Sequence, residues 1–280
     1  MDVLAIEPGL RLSAFFAVLG VMAGWELLAP RRALSVPRRL RWPSNLGIVV
    51  LNSLALRLLF PAAAVGMALF AQANGWGLFH RLGLPWWAAL AAGLLLLDLA
   101  IYLQHVLFHA VPALWRLHRV HHADLDIDVT TGARFHPVEI VLSMLLKFAA
   151  VAALGVPPEG VLLFEVLLNA TSMFNHANVR LPERLDRPLR AFVVTPDMHR
   201  VHHSLERDET NSNFGFNLSL WDRLFGTYRA QPRAGHEKMQ IGIPEFRERA
   251  DCAALPGMLA LPFRAGAALR GGLTERTARG

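Results

Sequence analysis

Long apolar runs, separated by short polar stretches, fill the first 175 positions of the chain. The runs at 10–29, 46–73 and 86–103 approach or exceed the roughly 20 helical residues needed to cross a bilayer core of about 30 Å. Arg57 and Pro61 interrupt the second run. A further pair follows at 138–156 and 160–174, joined by the tight turn Gly155-Val156-Pro157-Pro158. Both members hold ionisable residues, Glu139, Lys147 and Glu165, and the second is short. The pair forms either a full hairpin or a re-entrant one, and in both cases the chain returns to the side it left. The pattern predicts an all-α, integral-membrane helical bundle with about four or five membrane segments.

Arginine bias sets the expected orientation. The loop 30–43 carries Arg31, Arg32, Arg38, Arg39 and Arg41, whereas the loop 74–85 carries only Arg81. The first loop is therefore expected to be cytoplasmic and the N-terminus outside. Counting spans from there puts the segments after 103 and after 174, and the C-terminus, on the cytoplasmic side. Trp42, Trp76, Trp86 and Trp87 lie near span ends, as interfacial aromatics do. The mildly apolar run 255–269, with its arginines, either lies on the membrane surface or frays. Asp2 and Glu7 precede the first apolar run, unlike the positive start of a signal peptide, so that run is expected to be retained.

Composition agrees with a lipid environment. Of 280 residues, 54% are hydrophobic and 18% charged, too little polar surface for a soluble domain of this length. No linker or internal repeat divides the chain. The formal net charge is +6, but the arginines flank apolar spans, which suits anionic headgroups and not a nucleic acid. The one cysteine, Cys252, excludes an internal disulfide, an all-cysteine iron–sulfur site and a haem-attachment motif.

Twelve histidines occur, and their spacing carries chemistry. His105 and His109 form H-x-x-x-H at the end of the third span. His118, His121 and His122 form H-x-x-H-H, and His199, His202 and His203 repeat it. Positions i, i+3 and i+4 share a helix face, so each cluster can aim its imidazoles at a common point. His176 ends the last apolar segment on the same side. A zinc site uses about four ligands, so nine imidazoles suit two metals better than one. Imidazole accommodates iron, zinc or copper, and spacing alone does not choose among them.

His80 and His236 read as surface residues. His136, before a helix, reads as a hydrogen-bonding residue behind the ligands or a loop residue. Soluble di-iron bundles use Glu and Glu-x-x-His pairs, and no such motif occurs here. Asp98, inside the third span, either accepts a hydrogen bond from a ligand histidine or pairs two helices. Asp197, beside His199, invites the same reading.

These residues resemble the fatty acid hydroxylase / sterol desaturase superfamily. The resemblance runs from about Asp98 to Tyr228. It rests on Asp98-x-x-x-Tyr102-x-x-His105-x-x-x-His109, Pro112-x-Leu114-Trp115-x-x-His118-x-x-His121-His122 and Thr195-Pro196-x-x-His199-x-x-His202-His203-Ser204. Asn213-Phe214-Gly215 and Leu220-Trp221-Asp222-Arg223-Leu224-Phe225-Gly226-Thr227 complete it. It implies a transmembrane anchor over 1–97, a di-iron catalytic region over 98–228 that includes the membrane hairpin, and a cytoplasmic tail over 229–280. Two irons are implied, with zinc as a possible substitute, held by His105, His109, His118, His121, His122, His176, His199, His202 and His203. Some members carry a further histidine where Ser172 stands. Dioxygen, a lipid substrate in the bilayer and a separate electron donor are the implied partners, since the chain has no room for a fused cytochrome-b5-like domain. The expected location is a bacterial inner membrane, with the histidines on the cytoplasmic side.

An unactivated lipid C–H bond offers no acidic proton and no leaving group, so a redox cofactor must do the hard chemistry. The expected reaction is hydroxylation or desaturation of a lipid. A zinc hydrolase would want H-E-x-x-H, and His105-Val106-Leu107-Phe108-His109 has no glutamate. A non-enzymatic metal carrier would want a polar transmembrane path. The spans offer few charged groups in their interiors, chiefly Arg57, Asp98, Lys147 and Glu165, too sparse for a conduit.

Overall fold

The computed structural model describes residues 3–265, and secondary structure among them is almost wholly helical. The long helices are α1 (Val3–Leu28), α2 (Arg38–Leu59), α3 (Ala63–Ala73), α5 (Trp86–Ala110), α7 (Pro137–Leu154) and α8 (Pro158–His176), with the single turn α4 (Leu78–Arg81) between α3 and α5. Among the described residues, four stretches are long and apolar enough to cross a membrane: Ala5–Leu28, Arg38–Arg81, Trp86–Ala110 and Pro137–Leu154. Their outward side chains are apolar and uncovered, Leu58 being 81% exposed and Val21 67%. Apolar surface on this scale is placed against lipid. The spans expected at 10–29 and 46–73 both begin earlier than the apolar runs suggested. In the second, Pro61 ends α2 by removing a backbone donor and forcing Phe60 out of helical geometry, and α3 resumes beyond it.

The centre of the bundle is α8, packed by α1, α3, α5 and, beyond the short α9 (Glu183–Leu189), α10 (Pro196–His202). It is not among the four apolar stretches, because its buried position lets it carry polar residues. Glu165 is buried there and ion-paired with Lys147 of α7 at 2.6 Å and Arg11 of α1 at 3.1 Å. An unpaired charge at that depth would be costly; the two cations offset it. α7 and α8 lie antiparallel across the turn at Gly155, which takes a φ of +74°. A side chain at Gly155 would also collide with the Trp76 carbonyl, 2.7 Å from the site of a Cβ, so only glycine fits.

The ends of α1, α5 and α8 and the starts of α2 and α7 meet at one face of the bundle. A cap covers that face: α6 (Pro112–His122), α10, and the loops around them. α5 and α6 are joined by Val111 alone, and Pro112 at the first helical position sets the new direction. Arg38, Arg39 and Arg41, expected in a loop, lie in the first turns of α2. Arg41 is fully buried, its guanidinium forked onto Asp124 at 2.7 and 2.8 Å and bonded to Asp128 at 2.6 Å. Residues 255–265 pack on the cap: Arg119 donates to the Leu261 carbonyl at 2.6 Å and Arg116 to that of Pro262 at 2.7 Å. The remainder of the run, 266–269, lies outside the described residues. Cys252 is buried beneath this segment, donating to the Phe246 carbonyl.

Candidate metal centre

Nine imidazoles converge under the cap in two groups. His105, His109, His118, His122 and His202 form one; His121, His176, His199 and His203 form the other. Within each group the ligating nitrogens lie within 4.8 Å of one another. α5 delivers His105 and His109 from its last turns, α6 and α10 deliver the two H-x-x-H-H units, and α8 ends on His176. Eight of the nine rings are buried, and His109 alone is half-buried.

The outer nitrogens of most rings are held. His105 Nδ1 donates to the Phe214 carbonyl at 2.7 Å, His202 Nδ1 to that of Ser212 at 2.7 Å, and His176 Nδ1 to that of Ser172 at 2.6 Å. His121 Nδ1 donates to the Arg134 carbonyl at 3.3 Å. A carbonyl can only accept, so in these rings Nδ1 carries the proton and Nε2 presents a lone pair. Those Nε2 atoms face one another: His105 meets His202 at 3.0 Å and His118 at 3.1 Å; His176 meets His121 at 3.0 Å and His199 at 3.1 Å. Lone pairs at this distance repel unless a cation sits between them. Two nitrogens each about 2.1 Å from one metal, at right angles, lie about 3.0 Å apart. The donor set therefore fits two metal ions that favour imidazole, such as iron or zinc.

Burial keeps the cap histidines neutral. His118 is pushed down to about 3 by desolvation. Burial, followed by the neighbouring imidazoles, holds His121, His122, His199, His202 and His203 well below the ordinary histidine range. Neutral imidazole is the ligating form.

Apolar rings close the membrane side of the centre. Phe135 stacks on His121 at 4.5 Å, and Phe216 lies 5.0 Å from His105 and 5.9 Å from His199. Phe216 and Phe135 also top the apolar core formed by α3, α5, α7 and α8. On the solvent side, Trp115 lies 4.9 Å from His109 and 5.3 Å from His122.

The three supporting residues singled out from sequence do not touch the imidazoles. Asp98 instead pins a cap loop, accepting from Trp221 Nε1 at 2.9 Å, Asn217 Nδ2 at 2.8 Å and the Leu218 amide at 3.2 Å. That loop holds the Phe214 carbonyl against His105, with Asp222 accepting from the Phe214 and Gly215 amides at 2.7 and 2.9 Å. Gly215 is required there, since a Cβ would lie 2.7 Å from Asp222. His136 caps α7, its Nδ1 accepting from the Val138 amide at 3.2 Å. Asp197 pairs with Arg31 at 3.2 Å and with Arg200. Its other neighbour is His236, which is buried and not on the surface as expected; His80 is exposed. Ser172 Oγ donates to the Gly132 carbonyl, so that position adds no imidazole. Sequence reasoning missed Glu139, whose Oε1 accepts from His118 Nδ1 at 2.6 Å. Pro137 was the available signal, because it fixes the start of α7 and so puts Glu139 in the first turn, against the cap.

Comparison with known proteins bears on the same region. Residues 90–227 match the family model for fatty acid hydroxylase. Ornithine lipid hydroxylase OlsE of Rhizobium tropici is 33% identical over 151 residues, 54% of this chain and 44% of that protein. Alkylglycerol monooxygenase of Homo sapiens is 29% identical over 172 residues, 60% of this chain and 36% of that protein. The cholesterol 25-hydroxylase-like protein of Danio rerio is 34% identical over 143 residues, 49% of this chain and 54% of that protein. The chain thus spans about half, or less, of the length of the curated relatives it matches. No solved structure matches it. All nine convergent histidines fall inside residues 90–227, the region that matches the fatty acid hydroxylase model.

Proposed function

We propose that this protein is a membrane-bound, two-iron lipid hydroxylase, with the nine histidines as ligands and its cap on the cytoplasmic side. One observation carries the reading: buried, proton-free Nε2 atoms face one another about 3.0 Å apart at the end of membrane-spanning helices. Bound iron would supply dioxygen activation, so that one oxygen atom enters a lipid C–H bond and the other leaves as water, with two electrons from a separate donor and two protons. The chain's own residues hold the geometry and exclude water. Phe135 and Phe216 present an apolar surface to the substrate chain. A narrow cleft lies between α5, α7 and α8, lined by Leu97, Ile101, Gln104, Leu146, Lys147 and Phe164. Leu97, Ile101 and His105 follow one another at i, i+4 and i+8 on the same helix face, which leads from the cleft to the ligands.

The relatives carry names of hydroxylases and monooxygenases acting on lipids, which favours hydroxylation over desaturation. Arg31 and Arg32 between α1 and α2, with Arg38, Arg39 and Arg41 in the first turns of α2, support the cytoplasmic placement. The test uses membranes containing the full chain, supplied with reductant and a ferredoxin or cytochrome-b5 donor system under ¹⁸O₂. Hydroxylation predicts one labelled oxygen in a lipid product. An unlabelled alkene would mean desaturation, and lipid turnover that continues without oxygen would overturn the reading.

A further inference from the structure

Nine neutral imidazoles bring no negative charge to two metal cations. Among the described residues, one carboxylate is hydrogen-bonded to any of the nine, and it is Glu139 through His118. Both side chains are buried, and the second carboxylate oxygen, Oε2, is buried with no partner among the described residues. A lone buried acid is costly, and a cation on the far side of the His118 ring is the charge that would offset it. The other held rings donate to neutral oxygens: four to backbone carbonyls, and His109 to the Asn211 side-chain amide at 3.3 Å. A carboxylate draws harder on an imidazole N–H than a carbonyl does, which makes Nε2 the better donor and locks the ring.

This charge falls on one group only. His118 belongs to the five-histidine group, where four of five rings have their outer nitrogen held. In the four-histidine group His121 and His176 are held, while His199 Nδ1 and both nitrogens of His203 have no partner among the described residues. Resting on the two-metal reading above, we propose that Glu139 is a positioning residue that acts through His118. It makes the five-histidine position the tighter metal site and leaves the four-histidine position the more readily emptied one.

The experiment measures metal binding by the full chain in mild detergent, with no lipid or oxygen. Protein loaded with Co²⁺ is titrated with a chelator while bound metal and the cobalt absorption spectrum are recorded. The native chain should lose its two ions in two steps. Glu139→Gln should weaken the tighter step by about 10–100-fold, change its cobalt absorption, and leave the other step in place. Retention of that second ion also reports that the variant is folded. In a His118→Ala background the same substitution should add nothing at that position, because the ring it acts through is gone. Two unchanged steps in Glu139→Gln, loss of both ions together, or an undiminished effect without His118 would each overturn the proposal. None of these outcomes touches the two-metal reading, which fails only if the native chain binds a single ion.

Discussion

The two H-x-x-H-H units share a spacing but divide their imidazoles in opposite senses. In α6, His118 and His122 (i and i+4) join the five-histidine group, and His121 (i+3) joins the four-histidine group. At α10, His199 and the capping His203 (i and i+4) join the four-histidine group, and His202 (i+3) crosses to the other. One motif therefore serves both positions, with the i and i+4 pair facing one and the i+3 ring reaching the other. Support differs as well. α6 has eleven residues, and Arg134 and Arg119 tie it to its surroundings. α10 has seven, too few to be stable alone, and is held by neighbours such as Asn213, which donates to the Met198 carbonyl at 2.8 Å.

The largest effects should come from the rings themselves. His122→Ala and His203→Ala should each abolish lipid oxidation, yet each should leave one metal per chain, in different positions. Elemental analysis with cobalt spectra separates them, and a variant that empties both positions would break the division. Next in size is Arg41→Met, which leaves Asp124 and Asp128 without their buried partner. It should cost about 3–5 kcal/mol of stability by unfolding in detergent, loosening the loop behind α6 before α10. A loss below about 1 kcal/mol would mean that the guanidinium does not hold that loop.

Asp98→Asn should act more gently, through the loop that carries the Phe214 carbonyl. Activity should fall about 10–100-fold, with metal lost first from the five-histidine position. Equal loss from both positions would disconnect Asp98 from His105. The smallest effect belongs to His80→Ala, expected within about 0.5 kcal/mol in stability and silent in activity. His236→Ala should cost more than His80→Ala, since His236 is buried beside Asp197.

The histidine constellation was legible because ligand geometry is written as helical spacing, and apolar runs announce spans directly. The supports were hidden for a physical reason. Four of the atoms that hold the imidazoles are backbone carbonyls, which any residue supplies. Glu139 lies 21 positions from His118 and reads locally as a stray charge in an apolar helix. Asp98 and Asp197 invited attention by closeness in sequence to histidines, but helical phase turns them to Trp221 and Arg31. The arginines at 38–41 resembled a loop because charge masks the start of α2, where Arg41 is buried against acids more than eighty residues away.

Two metal positions built from nine imidazoles fix how much metal the chain should hold. Protein expressed with ⁵⁷Fe and purified in mild detergent should contain two irons per chain by elemental analysis. Its Mössbauer spectrum should show two distinct nitrogen-rich iron environments in equal amounts. One iron per chain, with a single environment that persists when iron supply is raised, would mean that the imidazoles make one metal position and not two.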